Sequence, residues 1–180
     1  MEHLSGIEGS ATRRYYQSLT DLIPEDSGFN GRNRRPPRDP FNALLSLGYT
    51  LLYSHTETLL RVSGLYPWTG FYHQPHGTHA TLASDLMEPF RHMVERVALT
   101  CVIRGQLKPE EFRSVPGQGC RLTPPALRRY IALLSERFQA ETLAVGEEKS
   151  RSALQNLHLQ NRRLVDWLRG GPEFKAWLTR

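Results

Sequence analysis

The segment GFYHQPHGTHATLASDLMEPF holds the side chains of this sequence best suited to metal chemistry. It contains three histidines at every third position and two acids with the same spacing: His73, His76, His79, Asp85 and Glu88. Imidazole nitrogens and carboxylate oxygens are common ligands for divalent cations in proteins. A metal site here depends on whether the local structure brings these groups together.

The three histidines lie in a predicted loop, because Pro75 and Gly77 interrupt any helix that would place them on one face. Histidines in loops are more often solvated than metal-bound, so a zinc site made of all three is the less favoured interpretation. His73 differs from the other two because it follows the aromatic stretch WTGFY, which should anchor its backbone.

Asp85 and Glu88 are one helical turn apart, so a helix would project both carboxylates to the same side. Such a pair is often just a favourable partner of the helix dipole. Apolar residues surround this pair, and two carboxylates at an apolar edge repel each other unless a cation lies between them. Carboxylates with one imidazole suit Mg²⁺ or Mn²⁺ better than zinc. Spacing alone leaves both interpretations open.

Two helices are expected in the first third of the chain. The segment SGIEGSATRRYYQSL places Ser5 three residues before Glu8, which is the spacing of a capping box. A loop rich in proline, glycine and arginine follows. The next helix should begin with Asp39 as N-cap and Pro40 at its first position, and it should end at Gly64.

Four more helices are expected downstream. One runs from about Leu82 to Arg104, with Pro89 kinking it or displacing its start. Two amphipathic helices correspond to ALRRYIALLSERFQAE and RSALQNLHLQNRRLVDWLRG, and PEFKAWL is expected to form a short terminal one. Since the connectors hold at most short extended pieces, the sequence predicts an all-α fold, a single helical domain over residues 1–180.

Composition excludes several classes of protein. With 180 residues, 39% hydrophobic and 23% charged, the chain should be globular. It shows neither a signal peptide nor an apolar run of membrane-spanning length. Cys101 and Cys120 lack metal-type spacing and are expected to be reduced thiols in a cytoplasmic protein. A phosphate-binding loop, a zinc-protease motif and a hydrolase serine motif are all missing.

The net charge of +5 comes mostly from arginine, whose planar guanidinium suits phosphate oxygens. Arginines cluster in the loop NGRNRRPPRDP, which is either a solvated turn or a segment that neutralises a nucleic-acid backbone. Charge alone makes a polyanionic partner plausible but does not identify it.

Four motifs occur in order along the chain: GIEGSATRRYYQSL, RDPFNALLSLGYTLLYSH, GLYPWTGFYH and LASDLMEPFR. Together with the closing segments LLSERFQAE and LQNRRLVDWLRGGPEF, they resemble the catalytic domain of the CRISPR spacer-acquisition integrase. The resemblance runs through nearly the whole chain. It implies an all-helical, metal-dependent DNA integrase or endonuclease that serves antiviral defence.

The resemblance also implies a set of site residues. In that family the metal ligands are a Glu of an E-G helix, a His closing a G-F-x-H stretch, and an acid of a D-L-x-E/D helix. The matching positions here are Glu8, His73 and Glu88, with Asp85 as an additional ligand or supporting catalytic group. The implied cofactor is Mg²⁺ or Mn²⁺. The positions implied to lie near DNA are Arg32, Arg34, Arg35, Arg38 and Asn42.

The implied reaction is attack of a spacer-DNA 3′-hydroxyl on a phosphodiester of the CRISPR repeat. A helical DNA-binding module without catalysis and a metal-dependent phosphoesterase are the alternatives. Expected partners are DNA, a second copy of the chain and the ferredoxin-like second adaptation protein. Family members usually carry a β-rich domain before the E-G helix, whereas this chain begins almost at that helix, so we expect it to lack that domain. The chain is then either an excised domain, the catalytic part of a larger fusion such as one with a reverse transcriptase, or a naturally minimal integrase.

Overall fold

The computed structural model describes residues 2–74 and 77–178. Its α-helices, in chain order, are α1 (Glu2–Ser18), α2 (Pro40–Val62), α3 (Thr81–Met87), α4 (Arg91–Ile103), α5 (Pro124–Gln139) and α6 (Ala153–Leu168). Short 3₁₀ turns cover Glu25–Ser27, Glu88–Phe90 and Pro109–Glu111. The predicted all-α class is confirmed.

The strands are confined to two small antiparallel pairs. β1 (Phe112–Val115) pairs with β2 (Gly119–Leu122), and β3 (Glu141–Thr142) pairs with β4 (Arg151–Ser152). They match the expectation of at most short extended pieces in the connectors. Neither pair is large enough to form a layer of its own.

α2 has the boundaries predicted from its end signals. The Asp39 Oδ1 atom accepts a hydrogen bond from the Asn42 N–H at 2.8 Å, and Pro40 is the first helical residue. At the other end Gly64 adopts a φ of +73°, which glycine tolerates better than other residues.

The predicted capping box of α1 is wrong. The helix begins at Glu2, so Ser5 lies inside it and Glu8 lies further along, past the first turn. An N-cap residue needs non-helical backbone angles, and the residues before Ser5 already continue the helix.

Pro89 divides the long helix expected from Leu82 to Arg104, as predicted. α3 ends at Met87, a 3₁₀ turn spans Glu88–Phe90, and α4 begins at Arg91. Proline has no N–H to donate to the preceding turn, so the regular hydrogen-bond ladder is interrupted at this point.

The chain divides into two compact units. The first comprises residues 1–48 and 94–134. Its fully buried side chains include Phe41, Leu44, Val94 and Tyr130. The Tyr130 hydroxyl donates a hydrogen bond to the Leu44 carbonyl at 2.9 Å, so this buried polar group is satisfied.

The second unit comprises residues 49–93 and 135–180. Its core is a cluster of aliphatic side chains from α2, α3 and α6: Leu60, Ala80, Leu82, Ala83, Leu86 and Leu164. The buried Gln160 amide of α6 donates to the Leu86 carbonyl at 2.8 Å. This contact ties α6 to the helix that carries Asp85.

The prediction of a short terminal helix in PEFKAWL is wrong. Residues 172–178 form an irregular strap. The Trp177 ring stacks on Phe90 at 4.4 Å. The backbone N–H of Trp177 donates a hydrogen bond to Gln160 Oε1 at 2.8 Å. Because a side chain of α6 takes the backbone donor that a helical turn would use, the strap is held in an extended path.

Cys101 and Cys120 are buried free thiols, as expected. Burial raises the pKa of the Cys101 thiol to about 11, with Arg129 acting in the opposite direction, so this group stays protonated at neutral pH. Within the described ranges, no helix is both long enough and apolar enough to cross a membrane.

Candidate active site

One buried carboxylate organises the loop that carries His73. Asp85 Oδ2 accepts hydrogen bonds from the backbone N–H groups of Phe71 at 2.5 Å and Tyr72 at 3.0 Å. Asp85 Oδ1 accepts a third from the N–H of His73 at 3.1 Å. The Asp85 side chain is 7% exposed, so these charge-assisted bonds face little competition from water. We call this arrangement the Asp85 clamp.

The clamp also holds the His73 ring. Its Nδ1 atom lies 2.5 Å from Asp85 Oδ1. A carboxylate accepts hydrogen bonds, so Nδ1 carries the proton in the neutral ring and Nε2 keeps the lone pair. The His73 side chain is 32% exposed. An imidazole fixed in this way presents Nε2 as a metal ligand or proton acceptor.

Gly70 allows the loop to approach α3 closely. A Cβ at this position would lie 2.5 Å from Asp85 Oδ2 and 3.0 Å from the Thr81 carbonyl carbon. The Gly70 N–H donates to Thr81 Oγ1 at 2.9 Å, and that hydroxyl donates to the Trp68 carbonyl at 2.8 Å. Glycine is required here for close approach, and the first residue of α3 fixes the loop beside it.

Glu88 has a different partner. Its Oε1 atom lies 2.7 Å from the guanidinium of Arg91, and its side chain is 39% exposed. The Arg91 guanidinium lies 4.5 Å above the Tyr49 ring. Burial lowers the pKa of Arg91, but the neighbouring Glu88 and Tyr49 more than offset it and raise that pKa above its ordinary value. The ion pair therefore holds one oxygen of Glu88 and leaves Oε2 for a ligand.

The structure separates the roles of the two acids that sequence spacing placed together. Asp85 is engaged by four donors of the loop, whereas Glu88 is paired with Arg91. The negative charge of each carboxylate is therefore offset by its own partners, the N–H groups of the loop for Asp85 and the Arg91 guanidinium for Glu88. Among residues 2–74 and 77–178, no three His, Cys, Asp or Glu side chains form a group that could hold a metal ion.

The two remaining histidines differ. His76 lies outside the described residues. The His79 ring stacks on Tyr53 at 5.0 Å with an interplanar angle of 10°, and its Nε2 lies 2.8 Å from Ser84 Oγ. The Tyr53 hydroxyl in turn accepts from the Ala80 N–H at 2.7 Å. His79 thus packs at the start of α3, a role that its place in a predicted loop did not indicate.

Glu8 belongs to the first unit, where it is an exposed residue of α1. His73, Asp85 and Glu88 belong to the second unit. The motif resemblance remains the reason for including Glu8 among the proposed ligands.

Asn42 organises the arginine-rich loop rather than standing on its surface. It has no exposed area, and its Oδ1 accepts from Arg32 at 2.7 Å and from the Asn33 N–H at 3.0 Å. Its Nδ2 donates to the Gly31 carbonyl at 2.9 Å and to Asp39 Oδ2 at 2.7 Å. All the hydrogen-bonding capacity of this amide is used inside the protein, so we assign it to shaping the loop.

The other arginines of the loop are available to a ligand. Arg34, Arg35 and Arg38 are exposed, whereas Arg32 is partly buried. Arg32 and Arg34 also line a cavity of about 420 Å³ together with Arg13 of α1. The described residues around this cavity include no acid, so its electrostatic character is basic.

The amino-acid sequence of the chain matches the model of a known protein family. The family model described as CRISPR associated protein Cas1 matches residues 1–136 of the chain. The chain belongs to the Cas1 family. The resemblance drawn from the four ordered motifs is thereby confirmed.

Individual relatives agree with this assignment. The chain is 44% identical over 139 residues to CRISPR-associated endonuclease Cas1 1 of Thermus thermophilus, which covers 77% of this chain and 44% of the relative. It is 36% identical over 188 residues to a CRISPR-associated exonuclease Cas4/endonuclease Cas1 fusion of Geobacter sulfurreducens, covering 100% of this chain and 34% of the fusion. This Cas1 chain therefore spans a third to a half of the length of these relatives.

A solved structure has the same fold. A chain of a Cas6-RT-Cas1–Cas2 complex superposes with a TM-score of 0.84 at 43% identity, covering 98% of this chain and 19% of that one. The helical architecture is therefore shared with a Cas1 portion of a larger assembly.

Proposed function

We propose that this Cas1 chain supplies the catalytic part of a metal-dependent DNA integrase of CRISPR adaptation. The observation that carries the proposal is the Asp85 clamp, which fixes His73 with Nε2 free to act. The names of the relatives as endonucleases support phosphodiester chemistry. Because the chain covers only part of those relatives, joining activity is a proposal for this chain.

The donor types of the motif residues suit a hard divalent cation, although no three of them form a binding group among the residues that the structure describes. A ligating imidazole commonly gives its other nitrogen to a carboxylate, and His73 does so with Asp85. Glu88 keeps Oε2 for a ligand while Arg91 holds Oε1. We propose that Glu8, His73 and Glu88 would hold Mg²⁺ or Mn²⁺, because one imidazole with carboxylates suits these ions.

When bound, such a cation polarises a phosphodiester and favours ionisation of an attacking hydroxyl. The residues of the chain have separate tasks. Asp85 keeps the His73 proton on Nδ1 and fixes the loop backbone, which reduces the reorganisation needed when substrate binds. Arg91 restricts Glu88 to one orientation.

The exposed arginines would position DNA by neutralising phosphates. The proposed reaction is transesterification: the 3′-hydroxyl of a spacer strand loses its proton and its oxygen bonds to a repeat phosphorus. The P–O bond to the 3′-oxygen of the repeat strand breaks, and that oxygen takes up a proton to leave as a new 3′-hydroxyl. One phosphodiester replaces another, so no nucleotide hydrolysis is needed. The missing phosphate-binding loop is therefore compatible with the proposal.

Partners are proposed from the relatives. One is a Cas4/Cas1 fusion, and another belongs to a complex containing Cas6, RT, Cas1 and Cas2. We propose that this chain assembles with a Cas2-type adaptation protein and a second Cas1 copy. A fused partner such as a reverse transcriptase is proposed on the same grounds.

The direct test is a joining assay. The full chain is incubated with 3′-hydroxyl spacer DNA and a repeat-containing plasmid, with and without Mg²⁺ or Mn²⁺, and with Cas2 added in parallel. Joined product should form only with metal. Glu8→Ala, His73→Ala and Glu88→Ala should each abolish it, because each removes a proposed ligand.

Matched controls separate loss of chemistry from general damage. His158→Ala and Glu136→Ala alter exposed residues of α6 and α5 and should join DNA normally. Joining that survives His73→Ala would disprove the site. Nicked plasmid without joined product would support the phosphoesterase alternative, and metal-independent binding without either product would support the DNA-binding module.

A further inference from the structure

The helix that carries Glu8 is held by little buried surface of its own. Among the side chains of α1 that the structure describes, Tyr16 alone is buried, at 2% exposed, and the others are partly or wholly exposed. The apolar residues Leu4 and Ile7 are 53% and 52% exposed. Because the packing of an apolar face is what usually stabilises a helix in a folded protein, α1 needs other contacts to keep a defined position.

Glu95 of α4 supplies two such contacts. Its Oε2 atom accepts a hydrogen bond from the Tyr15 hydroxyl at 2.9 Å, and its Oε1 atom accepts a longer one from the Tyr16 hydroxyl at 3.4 Å. All three residues belong to the first unit, so the contacts lie within one compact part of the chain. One carboxylate thus binds two neighbouring residues of α1.

The charge of Glu95 strengthens these bonds relative to bonds between neutral groups. Glu95 is partly buried, which reduces competition from water. Burial raises the pKa of the Tyr15 hydroxyl well above its ordinary value, and the charge of Glu95 acts in the same direction, so this hydroxyl stays protonated at neutral pH. The rings of Tyr15 and Tyr16 pack edge to face, with centroids 5.2 Å apart and planes inclined by 68°, which orients the two tyrosines as a pair.

The tyrosine contact is in helical register with Glu8. Glu8 precedes Tyr15 by seven residues within the continuous helix α1, which is two helical turns. The two side chains therefore leave the same face of the helix, about 10 Å apart along its axis. A contact that fixes the rotation of α1 at Tyr15 also fixes the direction in which the Glu8 side chain leaves the helix.

We propose that Glu95 is a positioning residue for Glu8. By accepting hydrogen bonds from Tyr15 and Tyr16, it sets the position and rotation of α1 and so the place of the Glu8 carboxylate. This inference rests on the proposed function, since it takes Glu8 to be a metal ligand. Glu95 acts through α1 and contacts neither metal nor DNA.

The first measurement is amide hydrogen exchange of the full chain without metal. Glu95→Ala should speed exchange of the α1 amides by roughly 5- to 30-fold, because it removes the charged acceptor of both hydroxyls. The double variant Tyr15→Phe and Tyr16→Phe keeps both rings and should have the same effect. Glu95→Gln retains an acceptor oxygen and should keep exchange within about threefold of wild type.

Tyr130→Phe is the matched control, since it removes a buried tyrosine hydroxyl of the same unit that donates to the Leu44 carbonyl instead. It should lower the stability of the chain without speeding exchange selectively in α1. Exchange in α1 that is unchanged in Glu95→Ala, or that rises equally in Tyr130→Phe, would overturn the inference.

The second measurement determines whether the effect reaches Glu8. Mn²⁺ affinity is measured by electron paramagnetic resonance for wild type, Glu95→Ala, Glu8→Gln and the variant with both changes. Glu95→Ala should weaken Mn²⁺ binding by roughly 5- to 50-fold when Glu8 is present. It should weaken binding by less than about twofold when Glu8→Gln has already removed the carboxylate. A general loss of stability would weaken binding equally in both backgrounds, so equal losses would contradict a role exerted through Glu8.

The outcomes separate this inference from the proposed function. If Glu95→Ala loosened α1 selectively while the wild-type chain bound no Mn²⁺ and joined no DNA, the anchoring of α1 would stand and the proposed metal chemistry would fail. If the wild-type chain bound Mn²⁺ and joined DNA, and Glu95→Ala did both equally well, the proposed function would stand and the positioning role would be wrong.

Discussion

Two loops of this Cas1 chain are shaped by buried polar side chains, but the consequences differ. In the His73 loop, the Asp85 carboxylate binds three backbone N–H groups and the imidazole itself. In the arginine-rich loop, the buried Asn42 amide binds Arg32 and the backbone of Asn33, while the remaining arginines stay exposed.

The two loops differ in how accurately they must position their functional side chains, the His73 imidazole in one and the arginine guanidinium groups in the other. A metal-ligating imidazole, the role that we propose for His73, needs a defined tautomer and orientation, and the His73 ring is bonded directly to the residue that organises the loop. Phosphate neutralisation needs positive charge in approximately the right place, so long side chains on a well-shaped loop suffice. We therefore expect steep losses from changes to the Asp85 clamp and graded losses from changes to the arginines.

The largest effect should come from Asp85→Asn. The substitution keeps the shape but removes the charge and turns one acceptor into an N–H₂ facing the donors of the loop. Metal-dependent joining should fall by roughly 100-fold or more, because both the His73 tautomer and the loop backbone lose their partner. The measurement is the initial rate of joined product at saturating DNA.

Asp166→Asn is the matched control, since Asp166 is an exposed acid on α6. It should join at the wild-type rate. A wild-type rate for Asp85→Asn would show that the clamp has no part in the chemistry.

Gly70→Ala should have the next largest effect. Its Cβ would be 2.5 Å from Asp85 Oδ2, so the carboxylate or the loop must shift. Joining should fall by roughly 10- to 100-fold, since small displacements of catalytic groups are costly. Gly6→Ala in α1 has no atom within 4 Å of the new Cβ and should retain joining. Equal rates for the two variants would argue against close approach at Gly70.

Asn42→Ala should separate stability from chemistry. It removes the acceptor of Arg32 and of the Asn33 N–H in a fully buried position, and the free energy of unfolding should fall by about 2–3 kcal/mol. Joining at saturating DNA and low temperature should change by less than about threefold, because the exposed arginines keep their charge. Chemical denaturation and initial rates measure the two effects. A large rate loss with unchanged stability would place Asn42 in the active site instead.

The smallest effects are expected for Arg34→Gln, Arg35→Gln and Arg38→Gln taken singly. Each should weaken DNA binding a few-fold and reduce the slope of log affinity against log salt by about 0.9 for each lost phosphate contact. Arg128→Gln, an exposed arginine of α5, is the matched control. An undiminished salt slope in all three variants would mean that the loop does not contact the DNA backbone.

Local signals explain which elements could be predicted from sequence. The ends of α2 and the break at Pro89 depend on single residues whose conformational preferences act within one turn. The terminal strap could not be found in this way, because Trp177 is held by Gln160 and Phe90, both distant in sequence. Helical periodicity in PEFKAWL carries no information about those contacts.

The candidate site shows the same division. Sequence singled out His73 through its aromatic neighbours and paired Asp85 with Glu88 through helical spacing. The structure instead joins Asp85 to His73, a contact between residues 12 positions apart that needs the whole loop to fold back on α3. The ligand role of Glu8 followed from motif resemblance and stays a prediction.

The affinity of the chain for a divalent metal is the sharpest test of the proposed ligand role of His73. Free Mn²⁺ can be counted by electron paramagnetic resonance during titration of the wild-type chain, His73→Ala, Asp85→Asn and the control Asp166→Asn. We predict a Mn²⁺ site in wild type and Asp166→Asn, its loss in His73→Ala, and affinity weakened by roughly 10- to 100-fold in Asp85→Asn. Mn²⁺ binding of equal strength in all four proteins would contradict it.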